Sequence, residues 1–86
     1  MYRIADLQTP GKYFANGELY ETKEQIVEQL ADFHNIDFIG TDDKNNELEI
    51  LEYFKFWEIN TTKDQLDWLL DYGQWRIEKI KKGDLK

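Results

Sequence analysis

Two similar triplets, Tyr2-Arg3-Ile4 and Trp75-Arg76-Ile77, stand near opposite ends of an 86-residue chain, each inside a stretch whose side chains alternate between two faces. A lone strand leaves its backbone donors and acceptors without partners, so alternating stretches need each other. The two triplets are therefore expected to lie side by side as antiparallel neighbours. The first stretch, Tyr2 to Leu7, stops at Gln8-Thr9-Pro10-Gly11, a turn sequence. The second runs from Gln74 to Ile80.

Between them the pattern changes. Asn16-Gly17, flanked by Lys12-Tyr13-Phe14-Ala15 and Glu18-Leu19-Tyr20, is the dipeptide of a tight hairpin turn. Thr22 and Gln25 have the spacing of a capping box. Ile26, Val27, Leu30 and Phe33 then follow helical spacing up to His34. Asn35 to Gly40 reads as a short extended piece and Thr41 to Asn46 as a polar loop. Residues 47–57 fit either a helix on Leu48, Leu51 and Phe54 or a strand; a helix capped by Asn46 is the expectation. Thr62 with Gln65 resembles a second capping box, Leu66, Leu69 and Leu70 form a stripe, and Gly73 is expected to stop that helix. The order β-β-β-α-α-α-β predicts an α+β fold. It is a small two-layer domain, 1–86, whose antiparallel sheet of N-terminal strands plus the C-terminal strand packs against about three helices. Residues 81–86 read as a frayed basic tail.

A chain of this length buries only about 60–65% of its unfolded surface, which excludes a TIM barrel or a doubly wound nucleotide-binding fold. Cysteine is absent, so no disulfide, thiolate metal site or cysteine nucleophile exists. Thirteen aromatic residues supply the bulk for a core. No stretch reads as a signal peptide or a spanning helix, and a cytoplasmic location is expected.

Reaction chemistry finds little to use. The chain lacks serine, its threonines sit at turns and caps, and its glycines stand singly, so neither a nucleophilic triad nor a phosphate loop is present. His34 reads as a cation at a helix C-terminus. Asp42 to Glu47 is rich in oxygen but has Leu48 where a calcium loop starting at Asp43 needs glycine. No enzyme, no cofactor and no metal is the expectation, a small hydrolase being a distant alternative.

Charge is the most informative feature. Residues 13–78 carry sixteen acids against five bases, while Lys79, Lys81, Lys82 and Lys86 make the end basic. Such a body repels phosphates, which argues against direct nucleic-acid binding, and Tyr13, Phe14, Phe54 and Trp75 read as core. Glu24, Glu28 and Asp32 form one line on a helix, each about 6 Å from the next. Two phosphate steps of one DNA strand span about 6.8 Å. Asp64, Asp67 and Asp71 form a second line with Trp68 beside it. Acidic rows next to a ring suit a basic groove that normally holds nucleic acid, with the charges steering encounter and Trp68 as anchor. The alternative is a structural or assembly protein in which Trp57, Trp68 and Trp75 are buried by homodimer or partner contacts.

The chain resembles small proteins encoded by phages and prophages of Gram-positive bacteria. The resemblance lies in Tyr2-Arg3-Ile4-Ala5-Asp6-Leu7, in Thr22 to Ile26 with Phe33 to Phe38, and in Leu66 to Gly73. It implies a setting in which compact acidic proteins inhibit host defence, as anti-CRISPR and anti-restriction proteins do. It carries no catalytic residue with it.

Overall fold

In a computed structural model, described over residues 1–81, the two ends of the chain meet as their sequences demand. Strand β1, Tyr2–Asp6, pairs antiparallel with β4, Trp75–Lys79, with Ile4 opposite Ile77 and Arg3 opposite Glu78. The Arg3 guanidinium donates to the Glu78 carboxylate at 2.7 Å, adding a charged cross-strand pair. The other edge of β1 is also used. Tyr2 exchanges both backbone bonds with Tyr20, and Asp6 N–H donates to Lys12 carbonyl oxygen at 3.0 Å. β1 is thus the middle ribbon of the sheet.

The Asn16-Gly17 hairpin does not form. Phe14–Gly17 is a single 3-10 turn in which Ala15 and Asn16 both take left-handed φ, 51° and 57°. The flanking residues Tyr13 and Tyr20 bridge to β1 instead of to each other. Local turn chemistry nominated a partner, and the neighbouring strand supplied a longer row of backbone groups.

Helix α1, Lys23–His34, begins with the expected capping box: Thr22 Oγ1 accepts from Gln25 N–H, and Gln25 Oε1 accepts from Thr22 N–H. Its inward face is Ile26, Val27, Leu30, Ala31 and His34. The stretch after it corrects the expectation for 47–57. Gly40–Thr41 (β2) and Glu47–Leu48 (β3) pair as a small hairpin, and helix α2 covers only Ile50–Phe56. Asn46 is not its cap. Asp42 holds Asn46 in the hairpin turn, with Oδ1 accepting from the N–H groups of Lys44 and Asn46. The first turn of α2 is satisfied from a distance, by Asn35 Oδ1 accepting from Ile50 N–H at 2.8 Å.

Helix α3, Thr62–Gly73, starts at its expected cap, so the cap itself lies one residue earlier. Thr61, not Thr62, accepts from Asp64 N–H, and the Gln65 amide donates to Ile59 carbonyl oxygen. Ile4, Ile26, Leu30, Ile50, Phe54 and Leu69 are fully buried where the sheet meets the three helices. The architecture is a small α+β domain, with two antiparallel sheets and the N- and C-terminal strands paired. Its element order places the β2–β3 hairpin between the first two helices, and the expected second and third N-terminal strands shrink to bridges. Among the described residues, no helix is long and apolar enough to cross a membrane. The basic tail lies outside the described residues, apart from Lys81.

Candidate functional site

Helices α1 and α3 lie side by side and run the same way. Their first residues, Thr22 to Glu24 and Thr62 with Lys63, line one cleft. At their other ends the rings of His34 and Tyr72 meet edge to face at 5.2 Å. This parallel arrangement is what the intervening β2, β3 and α2 make possible, since they return the chain to the starting end.

The acidic rows ride on these two helices. Glu24, Glu28 and Asp32 are exposed along α1, and Asp64, Asp67 and Asp71 are exposed along α3, because Ile26, Leu30, Leu66 and Leu69 take the inward positions. Glu24 and Asp67 line the same cleft, so the two rows approach each other near their starts. Asp67 also pairs with Lys63 at 3.0 Å, an exposed i,i+4 contact of the kind worth about 0.3–0.5 kcal/mol. Among the described residues the other five acids of the rows enter no ion pair.

Trp68 is half-buried. It stacks on Tyr72 with centroids 5.0 Å apart and planes 8° from parallel, and it meets Phe38 and Phe54 edge to face. Much of its surface is thus spent on the core, and Tyr72 is the more exposed ring of the pair. Trp75 is likewise half-buried against Phe14 and Phe33, leaving Trp57 as the exposed tryptophan. Of the three rings assigned to self-association by sequence, two are half-buried within their own chain, and exposed Trp57 still meets Phe56 edge to face and donates its indole N–H to the Thr41 carbonyl oxygen at 3.1 Å.

His34 is not a surface cation. It is buried, and its Nε2 accepts the indole N–H of Trp75 at 2.9 Å, which requires an unprotonated Nε2. Burial pushes its pKa below the ordinary imidazole value, and Asp37, with Oδ1 3.8 Å from Nδ1, opposes that shift. Sequence reading missed this contact because the two residues are 41 positions apart. Asp42 is held below the usual carboxylate range by hydrogen bonds from Asn46 and Lys44, as a turn residue. Among the described residues, no group of three or more His, Asp or Glu side chains is placed to hold a metal ion.

No protein-family model, curated protein or solved structure matches the chain.

Proposed function

We propose that this chain is a non-enzymatic inhibitor that occupies the basic nucleic-acid groove of a host defence protein, such as a CRISPR effector nuclease or a restriction enzyme. The observation that carries the reading is the pair of exposed acidic rows on parallel helices, Glu24-Glu28-Asp32 and Asp64-Asp67-Asp71. Rigid helices hold the carboxylates at fixed spacing, so little order must be acquired on binding. The acidic field of the body steers it towards a basic groove and away from nucleic acid itself. Trp68 and Tyr72 would contribute the ring edge that remains open beside the α3 row.

The test is displacement of labelled DNA from a purified CRISPR effector nuclease, followed by fluorescence anisotropy at low and high salt. The intact chain is expected to displace DNA, and the triple reversals E24K/E28K/D32K and D64K/D67K/D71K each to weaken that displacement. Rising salt should weaken direct binding of the chain to the DNA-free nuclease as well. A chain that inhibits equally well after both reversals, and binds the DNA-free nuclease equally well at high salt, does not act through these faces.

A further inference from the structure

Helix α2 has an outward face that no other element covers among the described residues. Ile50 and Phe54 point into the core, which leaves Leu51, Glu52, Lys55 and Phe56 on the opposite side. This face borders a shallow groove. One concavity is lined by Leu48, Glu52, Lys55 and Phe56, and the next by residues that include Ile39, Glu47, Leu48 and Glu52. Sharing Leu48 and Glu52, the two run into each other between α2 and the β2–β3 hairpin.

The groove is mainly apolar at its Leu48–Phe56 end and mixed at the other, where Ile39 and Phe38 stand among Asn35, Glu47, Glu49 and Glu52. Ile39 is 84% exposed and Phe56 43%, although the same chain fully buries Ile50 and Phe54 a few residues away. Exposed apolar side chains gathered beside polar ones mark an interaction surface more than a solvated one. The lining brings together the carboxylates Glu47, Glu49 and Glu52, of which Glu49 accepts from the Asn35 amide at 3.2 Å, and among the described residues Lys55 is the one base that lines it. A second copy docked through this same face would bring the same three acids to it and be repelled. A basic segment would complement them.

We infer that the groove between α2 and the β2–β3 hairpin docks a short basic segment of a partner protein, with apolar side chains seated on Ile39, Leu48 and Phe56 and lysines or arginines against Glu47 and Glu52. The apolar contacts supply the anchor, and the charges select the partner and set its register. This surface is built from other elements than the acidic rows and does not depend on what those rows bind.

The probe is a synthetic peptide of alternating lysine and leucine, titrated into the isotope-labelled chain and followed by amide NMR shifts, with an oligolysine of equal charge as control. Saturable shifts are expected at Ile39, Leu48, Glu52 and Phe56. Oligolysine should bind about tenfold more weakly, since it lacks the apolar anchors. Ile39→Ser, Phe56→Ser and the double reversal E47K/E52K should each weaken the peptide by about tenfold while the helical circular dichroism is unchanged. Should Phe56→Ser disturb folding, Ile39→Ser carries the same test, because Ile39 barely touches its own fold. Shifts confined to α1 and α3, equal binding of oligolysine, or no saturation would overturn the proposal. So would shifts at the groove that depend on protein concentration without peptide, which would assign the surface to a second copy.

Discussion

The bond between His34 and Trp75 sets a pH limit on the fold. Protonated imidazole carries N–H groups on both nitrogens, so charging His34 would set two donors against each other at the 2.9 Å contact. The folded chain therefore holds this proton less tightly than the unfolded chain does, in agreement with the direction of the shift. Stability from this residue is full above about pH 6.5 and declines as the pH falls through that value and on towards the lower folded-state pKa. Urea unfolding followed by tryptophan fluorescence should show a lower midpoint at about pH 5 than at about pH 7.5, and His34→Gln, which keeps an acceptor but has no such titration, should reduce that difference. Trp75→Phe leaves the buried His34 nitrogen without its donor. It should cost about 1–3 kcal/mol at neutral pH, and pairing it with His34→Leu, which removes the acceptor, in a double-mutant cycle isolates the contact. Sequence pattern places His34 at a helix end, where a cation is favourable; only the return of β4 across that end shows that the site is dry.

Element boundaries were legible where the signal is local and were displaced where it is not. The capping box at Thr22 and the antiparallel pairing of the two end strands follow from the sequence, since each element shows as a short-range pattern, but the register does not, and it sets Tyr2 opposite Lys79 and, of the two triplets, only Ile4 opposite Ile77. The α2 start was hidden because its cap comes from Asn35, fifteen residues earlier. Gly73 is instructive in another way. It stands inside the last turn of α3, while Gln74 takes the left-handed C-cap position at φ 58°. Gly73 is needed for its missing Cβ, since an alanine there would run into the His34 and Trp75 side chains. Gly73→Ala should accordingly destabilise by about 1–3 kcal/mol in thermal unfolding, although helix propensity alone predicts a gain. Thr61→Ala should cost about 1 kcal/mol and Thr62→Ala less, which separates the observed cap from its neighbour.

At the scale of the whole molecule, the acidic excess opposes folding and favours association with a basic partner, and salt tells the two apart. Formal charge is −7, with the acids gathered in the body that the sheet and helices enclose. Mutual repulsion of those carboxylates weakens the compact state, and counterions relieve it. The exposed pairs Lys63–Asp67 and Arg76–Glu78 pull the other way, but pairs of this kind contribute no more than about 1 kcal/mol each. Raising sodium chloride from about 50 mM to about 500 mM shortens the screening length from about 14 Å to about 4 Å, below the separation of most carboxylates on different helices. The thermal midpoint of the chain alone should rise over that range. Affinity for a nuclease groove should fall over the same range, because the attraction that is screened there is between chains. Thermal unfolding of the chain and direct titration of the DNA-free nuclease on one salt series thus give slopes of opposite sign if the acidic rows make the contact. Direct affinity for the DNA-free nuclease that strengthens with salt alongside the midpoint would mean that the rows serve solubility and that apolar anchors carry the binding.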